Sequence, residues 1–302
     1  MFEIHDFSSW QVYSGASEGS GRSEKEWLIS KVGEMGLFKY PKSEFTTEHV
    51  SEHLAHQLGE LLSVRTANID LGIRNGRMGS ISYRINTEMQ ALIEGVQFIS
   101  GKFPKFNADT MVDENTGRFY CLSMIEEAAG QFFSSEALIE MLVFDYLIGN
   151  KDRHQSNWGI IAEIADREKG TLRVSLSPLY DNGSSLCCYT TDDQIKAMSG
   201  NDPGPFRALV DSKSRSIIRI DGSMKRQPTH KEMVRFLLQN YDCTNSIAMR
   251  FISRLSEKVI ADLIIQYPDY VLSPARKELI RRFLNAKVAM LQELVNEAGV
   301  KT

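Results

Sequence analysis

The chain has 302 residues, of which 42% are hydrophobic and 25% charged, so it is globular in composition and long enough for two lobes. Its formal net charge of −4 provides no basic surplus, which argues against direct nucleic-acid binding. No apolar run reaches the roughly 18 residues that span a bilayer, so no membrane association is expected. The four cysteines lack CxxC spacing, and the N-terminus lacks a signal-peptide pattern. A cytoplasmic location is therefore expected, with delivery into another cell as an effector left open.

The first part of the chain predicts a small sheet with one helix. Strands are predicted at residues 27–32 and 35–40, and again near 67–73 and 79–85. Between the two pairs, the spacing of apolar residues becomes helical. The predicted apolar face of this helix consists of Val50, Leu54, Leu58 and Leu61.

The second part is predicted to be mainly helical. Helices are expected at 87–99 and 136–148, and several packed helices over 230–300. A hairpin is expected in between, with strands at 158–165 and 171–176 and a turn at 166–170. These elements divide the chain into an N-terminal lobe, residues 1–88, and a C-terminal lobe, residues 89–302.

The polar run of residues 147–161, LIGNKDRHQSNWGII, lies between an apolar helix and an apolar strand. Asp152 and Asn157 stand five positions apart, as the catalytic Asp and the metal-binding Asn do in protein kinases. Phosphoryl transfer needs a carboxylate that accepts the hydroxyl proton and an amide oxygen that helps to hold Mg²⁺. His154 is interpreted as a hydrogen-bonding residue of this loop rather than as an acid or base.

A second polar segment, SLSPLYDNGSSL at residues 175–186, follows the predicted hairpin. Folding the hairpin about residue 168 brings Asn157 nearly opposite Asp181. A carboxylate and an amide oxygen at that point suit a magnesium site completed by water and ATP phosphates. The turn that begins at Asp181 would replace the Asp-Phe-Gly segment of ordinary protein kinases.

Lys39 lies in a predicted strand between apolar neighbours, in the sequence GLFKYPK. A strand lysine that faces a cleft can pair with ATP phosphates when a helix carboxylate holds it. Glu48 and Glu52 both lie on the following helix, one turn apart, and Glu52 is slightly favoured as the partner of Lys39.

The glycine-rich run GASEGSGRSEK, residues 15–25, is a candidate phosphate loop. Ser20 and Gly21 lie at its centre, where backbone N–H groups can approach phosphates. The run is neither a Walker A motif nor a clean GxGxxG, so it carries little weight alone.

Together these segments resemble the HipA-like kinases. GNKDRHQSN resembles their GNxDxHxxN catalytic loop, and PLYDNG resembles their metal-binding segment. The LFKYPK strand and the EHLAHQLGELLSV helix occur in the expected order, and the resemblance covers roughly residues 12–290. It is closest to the short members of the family. The resemblance implies an α+β, two-lobed protein-kinase-like fold and transfer of phosphate from ATP, with Mg²⁺, to a serine or threonine of a protein substrate.

The resemblance also implies roles for individual residues. Asp152 would be the catalytic base, Asn157 and Asp181 would bind Mg²⁺, and Lys39 would contact ATP. The remaining implied sites are adenine binding near Ser82 and Tyr83 and autophosphorylation at Ser20 or Ser23.

Three other interpretations are weighed beside the protein kinase. The DRHxxN run is equally typical of phosphatidylinositol kinases, but residues 182–195 contain no basic residue and include Asp192 and Asp193, which disfavours an anionic membrane surface. An ATP-binding pseudokinase or interaction module is disfavoured because all the catalytic residue types are present. A toxin with a helix-turn-helix antitoxin partner is a further expectation from the family.

Overall fold

The computed structural model describes residues 1–15, 24–166 and 171–299 of the protein. The strands are β1 (His5–Asp6), β2 (Gln11–Val12), β3 (Lys25–Ile29), β4 (Met35–Lys39), β5 (Ile69–Arg74), β6 (Arg77–Tyr83), β7 (Gln90–Glu94), β8 (Phe106–Asn107), β9 (Val112–Asp113), β10 (Arg118–Phe119), β11 (Gly159–Asp166) and β12 (Thr171–Leu176). The helices are α1 (Glu48–Leu62), α2 (Gly95–Lys102), α3 (Leu122–Ala129), α4 (Ser135–Ile148), α5 (Asp192–Met198), α6 (Gly204–Val210), α7 (His230–Asn240), α8 (Cys243–Arg254), α9 (Glu257–Ile264) and α10 (Pro274–Gly299).

The N-terminal part is a six-stranded sheet in the order β1-β5-β6-β4-β3-β2. The pairing is antiparallel except between β1 and β5. Helix α1 packs on β5 and β6, and the four-residue spacing of its buried Val50, Leu54 and Leu58 continues to Leu62. The inclusion of Leu61 in this apolar face was therefore wrong, because Leu61 is 39% exposed.

The segment after this sheet differs from the predicted helix at 87–99. The structure has strand β7 followed by helix α2. Strand β7 pairs antiparallel with β11, with Glu94 opposite Gly159 and Leu92 opposite Ile161, and forms the edge of the sheet β12-β11-β7. The short apolar run of β7 suits a helix or a strand, and its distant partner β11 decides between them.

The C-terminal part is built around α4, which is buried on nearly all sides and packs against α7, α8 and α10. Helices α7 to α10 confirm the predicted helical tail, and the hairpin of β11 and β12 confirms the predicted pair of strands. The predicted turn of this hairpin, apart from residue 166, lies outside the described residues. Among the residues that the structure describes, no helix is both long and apolar enough to cross a membrane.

Helix α4 ends at Gly149, whose φ of 66° lies in the left-handed region that glycine adopts without strain. The chain then enters the polar loop of residues 150–158. Strands β11 and β12 carry the chain away from this loop and back to the second polar segment, so the hairpin brings both segments to one place. The division into lobes after residue 88 stays a prediction.

Candidate active site

The polar loop is anchored by a buried ion pair between Arg153 and Asp145 of α4. The Nη2 and Nε groups of Arg153 donate to the carboxylate of Asp145 at 2.7 and 3.0 Å. Both side chains are almost fully buried, at 2% and 4% exposed. A buried ion pair requires good geometry and complete hydrogen bonding to offset its desolvation, and this pair has both. The loop is therefore fixed to the central helix.

Arg153 also joins the loop to the segment that follows the hairpin. Its Nη1 donates to the backbone oxygens of Asn157 at 2.7 Å and Tyr180 at 2.8 Å. Its Nη2 also donates to Oδ1 of Asn182 at 2.6 Å. The planar guanidinium, with five donors, can satisfy all of these acceptors at once. Arg153 thus holds the two predicted catalytic segments in register.

Asp152 is oriented by its neighbour Asn150. The backbone N–H of Asp152 donates to Oδ1 of Asn150 at 3.0 Å, and Nδ2 of Asn150 donates to Asp145 at 3.0 Å. Burial and the nearby Asp181 raise the pKa of Asp152, although His154 opposes the shift. A raised pKa suits a carboxylate that accepts a proton during a reaction.

Asn157 and Asp181 line the same cavity, as the predicted folding of the hairpin requires. Nδ2 of Asn157 donates to the backbone O of Asp152 at 2.7 Å, so its amide is fixed. The hydroxyl of Tyr180 donates to the backbone O of Ser156 at 3.0 Å and joins the two segments again. Asp181 has a φ of 56°, a strained conformation for a residue other than glycine and one that is often found at functional sites.

Lys39 reaches this position from β4 and has two carboxylate partners. Its Nζ lies 2.9 Å from Oε1 of Glu52 and 2.7 Å from Oδ1 of Asp181. Oε2 of Glu52 accepts the backbone N–H of Asn182 at 2.9 Å, so α1 contacts both the lysine and the predicted metal segment. The structure does not bring Glu48 to Lys39, and no hydrogen-bond partner of the Glu48 carboxylate is found among the described residues.

The three ionisable groups of this cluster shift one another's pKa values. Burial opposes the charge on Lys39, but Asp181 and Glu52 outweigh it and raise the pKa of the lysine. Partial burial alone would raise the pKa of Asp181, but Lys39 overrides it and holds this pKa at about 2. Burial raises the pKa of Glu52 despite its contact with Lys39. Lys39 is therefore cationic and Asp181 anionic at neutral pH.

The cavity has a volume of about 330 Å³ and extends from this charged cluster to the end of β6. His154 lines it near Asn157, and its Nδ1 accepts the backbone N–H of Ser156 at 3.2 Å, in line with a hydrogen-bonding role. Ser82 and Tyr83 line the other end. The backbone N–H of Tyr83 donates to Asn68 and its hydroxyl donates to Asp70. The predicted phosphate-loop residues Ser20, Gly21 and Ser23 lie outside the described residues.

The donor set fits a magnesium ion that is held jointly with ATP. Within the described ranges, no group of three or more His, Cys, Asp or Glu side chains could hold a metal by itself. Asp181 supplies a carboxylate that is 46% exposed, and Asn157 supplies an amide oxygen. A cation that prefers oxygen ligands and retains waters needs only such a partial protein shell when phosphates complete it.

Sequence reasoning missed three residues that hold the site together, namely Asp145, Asn150 and Arg153. One signal pointed to them. Asp145 is the one charged residue in the apolar run of residues 141–148, and a charge in such a place requires a partner.

The fold is protein-kinase-like, and comparison with known proteins supports this assignment. No family model matches the chain. In sequence, the chain is 23% identical over 315 residues to the serine/threonine-protein kinase CtkA of Helicobacter pylori (strain J99), across 98% of this chain and 89% of CtkA.

Two solved structures extend the comparison. The crystal structure of the Helicobacter pylori proinflammatory kinase CtkA matches with a TM-score of 0.80 at 18% identity, over 99% of each chain. HipA, in the Shewanella oneidensis MR-1 toxin–antitoxin complex with HipB and operator DNA, matches with a TM-score of 0.59 at 13% identity, over 95% of this chain and 67% of HipA. The α+β protein-kinase-like fold is therefore confirmed, and the likeness to CtkA and HipA supports the resemblance to HipA-like kinases.

Proposed function

We propose that the protein is an ATP- and Mg²⁺-dependent kinase that phosphorylates serine or threonine in a protein substrate. The observation that carries the proposal is the contact of Lys39 with both Glu52 and Asp181 at the end of a cavity that Asn157 also lines. The relative CtkA is named a serine/threonine-protein kinase, which supports the same substrate class.

In the proposed reaction, Asp152 orients the substrate hydroxyl and accepts its proton. The hydroxyl oxygen bonds to the γ-phosphorus as the bond between that phosphorus and the β,γ-bridging oxygen breaks, and ADP leaves with the electron pair. The raised pKa of Asp152, caused mainly by burial, brings this carboxylate closer to the pH at which it must take up a proton.

Asp181 and Asn157 would hold Mg²⁺, which when bound neutralises charge on the β- and γ-phosphates. Lys39 would turn from Asp181 to the phosphates and keep its contact with Glu52. The adenine would lie at the far end of the cavity near Ser82 and Tyr83. We also propose that Ser20 and Gly21 cover the phosphates and that Ser20 or Ser23 is a site of autophosphorylation.

The toxin of a toxin–antitoxin system is a second candidate role, favoured by the likeness in fold to HipA, whose structure contains HipB and operator DNA. The corresponding partner would be a small helix-turn-helix protein. A cytoplasmic location is proposed because the four cysteines are free. A lipid substrate is disfavoured because Asp192 and Asp193 are exposed at the start of α5, close in sequence to the metal segment.

The substrate class is tested by supplying γ-labelled ATP and Mg²⁺ with either cell lysate or phosphoinositide liposomes. We expect label on protein serine or threonine with the wild-type enzyme and none on lipid. Label on phosphoinositide alone would contradict a protein substrate. ATP binding with no transfer to either acceptor would contradict kinase activity.

A further inference from the structure

A second cavity, of about 290 Å³, lies next to Asp152 and shares no lining residue with the ATP cavity. Ser184 and Lys151 both line it. Oγ of Ser184 donates to Oδ2 of Asp152 at 3.5 Å, and the backbone N–H of Lys151 donates to the backbone O of Ser184 at 3.3 Å. The cavity therefore begins next to the carboxylate that is proposed to orient the substrate hydroxyl.

The charged groups of this cavity are all positive. Lys151 and Lys213 line it and are exposed to solvent, and its described lining includes no Asp or Glu. Within residues 1–15, 24–166 and 171–299, neither ammonium has a hydrogen-bond or ion-pair partner. Phe283 and Leu209 supply apolar surface in the same cavity. The cavity can therefore contact the aliphatic part of a short side chain with its apolar surface and an anionic group at the end of that side chain with its ammonium groups.

A third lysine lies directly behind the cavity wall. Lys287 is fully buried, and its Nζ donates to Oγ of Ser214, a lining residue, at 2.8 Å. Oγ of Ser214 also lies 2.9 Å from Nδ1 of the buried His230. No carboxylate of the described residues lies within ion-pair distance of Lys287, although a buried ammonium without one is costly. An anion in the cavity would favour the protonated form of Lys287.

The mouth of the cavity carries a further cation and exposed aromatic surface. The hydroxyl of Tyr189 lies 3.1 Å from Oγ of Ser184 and accepts a hydrogen bond from Nζ of Lys42 at 2.9 Å. Tyr189 is 45% exposed, and Phe45 nearby in sequence to Lys42 is 66% exposed. Exposed aromatic side chains beside polar groups are typical of protein-binding surfaces.

We propose that this cavity binds an anionic side chain of the protein substrate, a carboxylate or a phosphate, that lies close in sequence to the accepting serine or threonine. This inference rests on the protein-kinase function proposed above. The position beside Asp152 sets the short sequence distance to the acceptor, and the exposed Lys151 and Lys213 set the charge. Charge-assisted hydrogen bonds from ammonium groups favour both carboxylate and phosphate.

The test uses the full-length enzyme with Mg²⁺-ATP and peptides that carry one central serine. Each flanking position holds in turn Glu, phosphoserine, Gln or Lys. We expect kcat/KM on the order of tenfold higher with an anionic residue than with Gln at one flanking position. The Glu and phosphoserine peptides separate carboxylate from phosphate as the preferred anion.

Two variants test whether the preference for an anionic peptide residue arises in this cavity. Lys213→Glu reverses one exposed charge of the cavity, whereas Lys31→Glu reverses an exposed charge between β3 and β4 as the matched control. We expect Lys213→Glu to abolish the anionic preference and to favour Lys at the same position, with transfer to an uncharged peptide unchanged. Lys31→Glu should keep the wild-type preference.

Three results would overturn the inference. One is equal transfer to anionic and neutral peptides by the wild-type enzyme, and another is an anionic preference that survives in Lys213→Glu. Either result would leave the proposed kinase function intact, because transfer itself would be observed. The third is the absence of transfer to any peptide or lysate protein, which would overturn the kinase function and this inference together.

Discussion

Replacing Arg153 with leucine should destabilise the protein strongly. Arg153 makes six hydrogen bonds, to Asp145, Asn157, Tyr180 and Asn182. The Arg153→Leu variant would leave the Asp145 carboxylate buried without its cation, and breaking such a pair costs about 3–5 kcal/mol. We therefore expect the free energy of unfolding to fall by about this amount.

Urea unfolding at 25 °C, followed by circular dichroism, measures this loss. A change in free energy of about 4 kcal/mol lowers the midpoint by roughly 1.3–4 M urea for slopes of about 1–3 kcal/mol/M. Phosphate transfer should also fall, because the variant frees the backbone of Asn157 and of Tyr180 from their shared donor.

A second variant separates the buried charge from lost packing. In Asp145→Asn/Arg153→Leu the remaining side chain is neutral, so the double variant should be at least about 1 kcal/mol more stable than Arg153→Leu alone. A loss below about 1 kcal/mol in Arg153→Leu would refute the reasoning. A double variant less stable than the single variant would show that the unpaired charge is not the cause.

Three further variants test the charged groups. Glu52→Gln should lower kcat/KM by roughly tenfold to a hundredfold, because Lys39 and the Asn182 N–H lose their shared carboxylate; steady-state kinetics with ATP measure this. Burial lowers the pKa of Lys287 to about 7, so the unfolded chain binds more protons than the folded protein between about pH 7 and 10. The stability of the wild-type protein should therefore rise across that window relative to Lys287→Met. Urea midpoints at pH 7 and 9.5 measure this difference. Lys39 holds the pKa of Asp181 at about 2, below its ordinary 3.8. The stability that the Asp181 carboxylate contributes should therefore be present above pH 4 and lost as the pH falls toward 2. The stability of Asp181→Asn should fall less steeply with acid over that range, as fluorescence measures.

Each of these expectations has an opposite outcome. Wild-type kinetics in Glu52→Gln would show that the contact of Glu52 with Lys39 is unimportant. A stability difference between wild type and Lys287→Met that is the same at pH 7 and 9.5 would show that Lys287 titrates normally. Parallel acid unfolding of wild type and Asp181→Asn would contradict the lowered pKa of Asp181.

The sequence predicted those parts of the site whose positions follow from local patterns. The spacing of Asp152 and Asn157 is fixed by one short loop. The approach of Asp181 follows from the symmetry of a hairpin, since antiparallel pairing brings its two ends together. Helical spacing placed Glu48 and Glu52 on one face of α1, and only the packing of this helix on the metal segment distinguished them.

The remaining features depend on contacts between residues far apart in the chain. Arg153 reaches Asn182, 29 residues away, and Lys287 reaches Ser214, 73 residues away. The spacing of apolar and polar residues along the sequence does not predict contacts between residues so far apart. Strand β7 was wrongly predicted as helix for the same reason, because its conformation is decided by pairing with β11.

The most direct test of the proposed kinase function is transfer of label from γ-labelled ATP by the wild-type protein and by Asp152→Asn, each with Mg²⁺ or with excess EDTA. Cell lysate serves as substrate, and phosphoamino-acid analysis identifies the product. We expect phosphoserine or phosphothreonine with the wild-type protein and Mg²⁺ only, and at least about 100-fold less with Asp152→Asn, whose ATP binding should persist. Equal transfer by Asp152→Asn, or undiminished transfer in EDTA, would contradict the account.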